Sequence, residues 1–369
     1  MVIREQRPED GPAIEAFNER LRAGGSTFAF PVSVPARPPL EGARQTIAIE
    51  HYVAVDGEQV RGGYILIRHG AVAGGQTMRV AFLQLPLSEG IVNSRYGVVG
   101  VKLVLDALTR SPAMYALGMG GIDQRLPRLL AKLGFRMSAV PFYWRVFRPA
   151  RFLRRVVPLR KRPWRRFALD LLALTHAADL PVLARHWWSD SSSAALRTCD
   201  YEEVPRFEPW ADEFWERAHD GYSVTAIRDA DALNWRFPTT DARLHRLRVR
   251  CAGADAGWVV VTDSQLRDHS HFADMRLGAI VDTLALPGEE ASVIAAATQF
   301  LRQRRVDLVV SNQNAALWCD ALRANGYLSS TSNFALGTSP ALTAQFAAAD
   351  PQAARAHFNR GDGDGPIHL

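Results

Sequence analysis

Apolar positions along this chain fall into two blocks with the same order of elements. In the first, Gln45–Val55 alternates as a half-buried strand does, Asp56-Gly57 is a hairpin signal, and Val60–Arg68 and Met78–Leu87 read as the next two strands. An apolar strand, Val80–Leu87, runs towards a glycine-bearing turn, Tyr96-Gly97-Val98-Val99-Gly100. That turn opens a helix with Val101, Leu103, Val104, Leu105 and Leu108 on its apolar side. A short strand, Ala113–Met119, and a helix, Asp123–Leu133, follow, and the helix stops at Gly134, where a C-cap favours a residue tolerant of positive φ. Ahead of the block stand a short strand, Val2–Arg4, and a helix opened by Pro8-Glu9-Asp10 with Ile14, Phe17 and Leu21 on one stripe. The segment Phe30–Pro39 holds four prolines and reads as a loop whose Phe28, Phe30, Val32 and Val34 line a groove or pack as a lid. Pro141–Phe147, rich in aromatics, is expected to close the unit.

The second block repeats the order. Pro209–Ala218 reads as a helix, the strands are Leu244–Cys251, Gly257–Val261 and Ala279–Leu286, and a helix Glu289–Arg304, a strand Asp307–Ser311 and a helix Asn314–Ala324 follow. Asn325-Gly326-Tyr327 ends it as Leu133-Gly134-Phe135 ends the first. Strand–strand–strand–helix–strand–helix–Gly–aromatic therefore occurs twice.

The turn at Gly97–Gly100 has a chemical consequence. Glycines remove Cβ atoms where backbone must approach something closely, and unpaired N–H groups at a helix start favour an anion such as a phosphate. Turn and element order together resemble the GNAT acyltransferase superfamily, in which Gln/Arg-x-x-Gly-x-Gly/Ala at a helix start holds the pyrophosphate of coenzyme A. The register sets Gly97 at the Gln/Arg, Gly100 at the first glycine and Lys102 at the second. The Leu-Asn-Trp-Arg-Phe block, Leu233–Phe237, resembles tandem GNAT-like proteins, several of them from bacterial surface-polysaccharide loci.

The resemblance implies an α/β fold: two GNAT-like domains in tandem, each a central, mostly antiparallel mixed sheet flanked by helices. The expected boundaries are 1–148 for the first domain, 149–200 for a basic linker with a helix, 201–337 for the second domain, and 338–369 for an Ala-rich helix and flexible tail. It also implies an acyl-CoA-dependent N-acyltransferase, with acetyl-CoA or another acyl-CoA as substrate, a small-molecule or glycan amine such as an amino sugar as acceptor, and no metal. The strand before the turn would supply backbone contacts through Gln84, Leu85 and Leu87, and the turn would hold the pyrophosphate through Gly97, Val98, Val99, Gly100, Val101 and Lys102. Glu89 is the nearest carboxylate for a base, with His51 on a preceding strand; Tyr115 is the candidate acid, with Tyr143 in reserve. In the second block Asp282, a carboxylate inside the apolar run Ile280–Leu284, needs a partner or a catalytic task. Pro287-Gly288-Glu289-Glu290 places two acids where a pyrophosphate would sit, so the first block is the better coenzyme site. Two alternatives stay open: a transferase of the same fold using an aminoacyl-tRNA or other non-CoA donor, and a non-catalytic scaffold.

Charge and composition refine this. The 369 residues suffice for two domains, and 47% hydrophobic with 22% charged residues describes a chain with a sizeable core. The net charge of +6 is concentrated between Arg145 and Arg166, where ten basic residues alternate with apolar and aromatic ones and no acid occurs; the rest is slightly acidic. That segment reads as a solvated linker, as a peripheral contact with anionic lipid at the inner membrane face, or as a polyanion site, tRNA in the second alternative. No apolar run of membrane-spanning length and no signal sequence is seen, and Cys199, Cys251 and Cys319 are expected to be reduced thiols of a cytoplasmic protein. The chain shows no Gly-x-Ser-x-Gly, His-Glu-x-x-His, phosphate-loop or dinucleotide fingerprint. Asp362 and Asp364 near the end fall short of a calcium loop, and a terminal turn is expected there.

Overall fold

A computed structural model of the chain describes residues 1–35, 37–155, 199–268, 273–350 and 354–363. The strands are β1 (Val2–Glu5), β2 (Leu40–Glu41), β3 (Thr46–Asp56), β4 (Gln59–Ala73), β5 (Gln76–Ser88), β6 (Met114–Gly118), β7 (Arg136–Ala139), β8 (Phe142–Val146), β9 (Cys199–Val204), β10 (Val224–Ala226), β11 (Leu244–Cys251), β12 (Ala254–Gln265), β13 (Arg276–Ala285), β14 (Leu308–Asn312), β15 (Leu328–Ser330), β16 (Ala335–Thr338) and β17 (Ala356–His357). The helices are α1 (Gly11–Ala23), α2 (Gly97–Arg110), α3 (Arg125–Lys132), α4 (Pro149–Arg155), α5 (Pro209–Ala218), α6 (Ala230–Arg236), α7 (Glu290–Gln303), α8 (Ala316–Ala324) and α9 (Pro340–Ala349). Both repeats of the expected order are present, and Gly134 and Gly326 end α3 and α8 with φ of 88° and 77°.

The chain forms two compact units. The first comprises Met1–Ala139, Val224–Ile227 and Asn333–Gln352. Its sheet runs β1-β3-β4-β5-β6-β16-β7, with β10 on the far end of β4. The β3–β4 hairpin closes at Gly57 (φ 61°), with Asp56 opposite Gln59. One sheet face is covered by α2 and α3, where Val99, Leu103, Val104, Ala107 and Leu130 meet Tyr64, Leu66, Ala81, Leu83 and Ala116. The other is covered by α1, whose Ile14, Phe17 and Leu21 pack with Phe30, Val53, Val60, Ile65 and Leu87. Of the proline-rich loop, Phe30 is therefore core, held by reciprocal 2.8 Å bonds between its backbone and the Asn18 amide, whereas Phe28 is 60% exposed.

The second unit comprises the remaining stretches, and its sheet runs β15-β8-β14-β13-β12-β11-β9. The helix α7 lies close on it: a Cβ on Gly257 would stand 2.4 Å from Val293 Cγ2.

Three expectations are corrected. Pro141–Phe147 does not close the first unit: β8 pairs with β14 and β15 in the second, and the first unit is closed by β16, which lies between β6 and β7. The boundaries at 148 and 337 thus fall elsewhere, because apolar periodicity marks a strand without saying which sheet takes it. Cys199 and Cys251 are not free thiols: they face each other across β9 and β11 with Cα atoms 4.0 Å apart and form a disulfide, while Cys319 is buried and free. The stretch 354–363 is no flexible tail, since Ala356, His357, Phe358, Asn359, Arg360 and Asp362 are all buried. In the basic segment, Arg148 and Arg151 stand 3.7 and 3.4 Å from buried Asp307, and Arg145 donates to the Asn325 carbonyl. The rest of that segment from 156, and the linker up to 198, lie outside the described residues. No described helix is long and apolar enough to cross a membrane.

Candidate active site

In the first unit, β5 and β6 run parallel but pair only at Ala81–Met114 and Phe82–Tyr115, after which they part. The parting strand is distorted. On its other edge Gln84 faces Ile65 and Leu87 faces Gly63, so Leu85 and Pro86 oppose Tyr64 alone. This is a bulge, with Leu85 at φ 48°, a conformation that costs a non-glycine residue roughly 1–3 kcal/mol and needs a rigid frame to hold it. Pro86 suits the spot because it has no N–H to lose from a ladder.

A clamped loop then leads into α2. Glu89 accepts from Arg61 of β4 (2.9 and 3.1 Å) and from Arg20 of α1 (3.1 Å). The same Arg61 guanidinium lies 4.2 Å over the ring of Tyr96, the residue that caps α2. Gly90 is obligatory, since a Cβ there would stand 2.6 Å from the Tyr96 carbonyl oxygen. The first turn of α2 has no side-chain cap, and Gly97 and Val98 are exposed, as are Arg95 and Lys102. A 3-10 turn, Ser94–Tyr96, runs into it, so the Gly97 N–H already donates to the Ser94 carbonyl and Asn93 Oδ1 accepts from Arg95 N (3.2 Å); what the exposed start offers an anion is the positive end of the helix dipole beside Arg95 and Lys102. Gly97 has nothing within 4 Å of an added Cβ, whereas a Cβ on Gly100 would stand 3.3 Å from Ser88 Oγ; Val99 is core and Val101 half-buried.

The sequence-predicted residues divide accordingly. Gln84, Leu85 and Leu87 lie on the parting strand, and Gly97–Lys102 forms the start of α2. Glu89 is buried with both oxygens occupied by guanidiniums, a holding role rather than that of a proton acceptor. Tyr115 stands on β6 at the last paired rung, stacked on Phe82 with ring centroids 5.4 Å apart. Its hydroxyl lies 2.9 Å from Nε2 of His69, a residue no sequence signal marks. His51 is buried, bonded through Nδ1 to Gln6 Oε1, and burial lowers its pKa. Tyr143 belongs to the second unit, on β8.

Asp282 is also in the second unit, and its partners are structural. Arg228 Nε donates to Asp282 Oδ1 (2.9 Å) and Arg228 Nη2 to Asp362 Oδ2 (2.8 Å); Arg236 Nη1 reaches Asp362 Oδ1 at 3.2 Å and Asn359 Nδ2 reaches Asp282 Oδ1 at 2.7 Å. Burial pushes the Asp282 carboxyl up against the pull of Arg228; for Asp362, Arg228 and Arg236 overcome burial and hold it down. Arg236 is thus salt-bridged, Trp235 is half-buried, and Leu233 and Phe237 are the core residues of that block.

This network fills the place that corresponds to the parting of β5 and β6. In the second unit the parallel pair β13–β14 ends at Ile280–Ser311, and the chain's own residues 356–362 occupy the continuation. Gln313 bridges to Asn359, Phe358 N donates to Asn314 Oδ1, and a Cβ on Gly361 would stand 2.8 Å from Asp282 Cβ. At the start of α7, the Glu290 carboxylate already accepts from Gly288 N at 3.0 Å.

No family model and no curated protein matches the chain. Among solved structures, Saccharomyces cerevisiae N-myristoyltransferase with bound myristoyl-CoA superposes with a TM-score of 0.50 at 9% identity, over 92% of this chain and 78% of that one. A tandem GNAT protein from the clavulanic acid biosynthesis pathway gives 0.46 at 12%, over 92% and 98%. Eis1 from Mycobacterium abscessus gives 0.46 at 15%, over 95% and 76%. At 9% identity what is shared with the N-myristoyltransferase is the fold alone, a GNAT-like mixed α/β architecture that this chain lays out in two units.

Proposed function

We propose that the first unit is an acyl-CoA-dependent N-acyltransferase and that the second unit binds no coenzyme. The observation that carries this reading is the parting of β5 from β6 after Phe82–Tyr115, with a bulge at Leu85, ahead of an exposed α2 N-terminus. From Phe82 to Ser88 the strand spans about 20 Å at ordinary rise. An extended thioester arm lying along it would have its phosphates at α2 and its carbonyl near the bulge. A backbone N–H there would stabilise the oxyanion, and alignment of amine and carbonyl would supply much of the rate. In this reading the buried Tyr115 is the group that returns a proton to the leaving thiolate. The acceptor class stays at the level of a primary amine, with an amino sugar as one candidate.

The test is calorimetric titration with acetyl-CoA and longer acyl-CoAs. The reading expects one site per chain, because residues 356–362 and Glu290 occupy the corresponding places in the second unit. Gly97→Glu is the diagnostic variant. A carboxylate at an exposed first-turn position favours the helix dipole, so the fold survives while a phosphate is repelled. Binding by Gly97→Glu equal to wild type would sink the reading.

A further inference from the structure

The pair His69–Tyr115 holds more than an oriented acid. His69 is buried on β4, and Nδ1 lies 2.9 Å from the Gly70 carbonyl oxygen. A carbonyl only accepts, so Nδ1 carries a hydrogen, and in the neutral ring Nε2 is the acceptor for the Tyr115 hydroxyl at 2.9 Å. The frame is fixed. Ile227 N also donates to the Gly70 carbonyl (3.1 Å), and Gly70 N donates to Gln45 Oε1 (2.8 Å). The tyrosine ring is held between Phe82, stacked on it, and His69, edge-on at 5.8 Å with an interplanar angle of 80°. If Nε2 gains a proton, the contact survives with donor and acceptor exchanged, and the tyrosine hydroxyl hydrogen turns away from the ring. Both protonation states fit one geometry, because the tyrosine hydroxyl can donate as well as accept.

We propose that His69 and Tyr115 form a two-way proton relay for acyl transfer, with Tyr115 touching the reacting atoms and His69 acting through it. The proposal rests on the acyltransferase reading. As the amine nitrogen bonds to the thioester carbon, the surplus ammonium proton passes to Tyr115 Oη while the tyrosine proton passes to His69 Nε2. As the carbon–sulfur bond breaks, its electron pair goes to sulfur. The proton returns from Nε2 through Tyr115 Oη to the sulfur, giving free thiol. The proton lost by nitrogen is the one gained by sulfur, so nothing is exchanged with solvent.

The variants Tyr115→Phe, His69→Ala and His69→Gln separate the possibilities. Glutamine can accept from the tyrosine but cannot store its proton. The relay expects all three to lose about 100-fold or more in kcat with little change in KM for the acyl-CoA. Wild-type kcat in His69→Gln would reduce His69 to an orienting role and overturn the relay while leaving the acyltransferase reading intact. Nitrogen NMR of the imidazole in the wild-type chain is the second arm and needs no turnover: the relay expects the Nδ1–H tautomer, with the Nε2 resonance moving in Tyr115→Phe, and an Nε2–H tautomer would overturn it. A wild-type protein that neither binds nor turns over any acyl-CoA would overturn the reading and the relay together.

Discussion

His357 shows how a buried residue contributes to the pH dependence of the fold. It is fully buried, its ring stacked with Tyr222 at 4.7 Å and with Trp318 at 5.8 Å, and burial holds its pKa well below the usual histidine value. The unfolded chain takes up this proton below about pH 6.5 while the folded chain does not, so stability is complete above that pH and declines as pH falls. One such histidine contributes a slope of at most about 1.4 kcal/mol per pH unit. A second decline is expected below the ordinary carboxylate range, where Asp10, held down by Arg4, and Asp255, held down by Arg248, are finally protonated. Urea midpoints between pH 8 and 3 should show the first and the onset of the second, and His357→Gln should flatten the first in part, since burial shifts His51 the same way; an unchanged slope would assign it to other groups. Asp282 illustrates what was legible at this scale. A carboxylate in an apolar strand announces that it needs a partner, but Arg228 and Asn359 lie 54 and 77 positions away, and no local pattern names them. His69 carries no announcement at all, since its partner is 46 positions off.

Elements were legible where periodicity and capping agree. The strands β11 and β13, the helices α2, α5 and α7, and the glycine stops of α3 and α8 follow from alternation, helical stripes and the need for positive φ. The bulge at Leu85 was not legible, because a leucine at φ 48° contradicts local preference and is imposed by the flanking pairs Ile65–Gln84 and Gly63–Leu87. The reach of a cap was also hidden. Ser339 caps α9 through Leu342 N, yet its hydroxyl also donates to Pro112 O (2.6 Å) and accepts from Met114 N (3.1 Å), tying the start of β6 to a segment more than two hundred residues later. Ser339→Ala is therefore expected to cost about 1–2 kcal/mol, read as a shift in urea midpoint. A change of a few tenths of a kilocalorie per mole would mean that water replaces the hydroxyl.

At the scale of the whole molecule, the two units are not two consecutive pieces of chain. The first needs β16 between β6 and β7, and the second needs β8 between β14 and β15. A fragment ending at 148 should therefore lack a stable fold, as judged by dispersed amide NMR signals and a cooperative urea transition. Addition of 333–352 by fusion should improve both; a well-folded 1–148 fragment would contradict this. The repeated order of elements, the apolar faces, the turns and the positive helix start at Gly97 can be read along the chain, since they depend on residues within a few positions of each other. Which sheet receives β8 and β16, the pairing of Cys199 with Cys251, the locking of Glu89 by Arg20 and Arg61, and the contact of His69 with Tyr115 follow from folding in three dimensions. The physical reason is the same in each case. Periodicity records that a side chain is to be buried, whereas its partner is chosen by the packing of segments tens to hundreds of residues apart, which leaves no local trace in either of them.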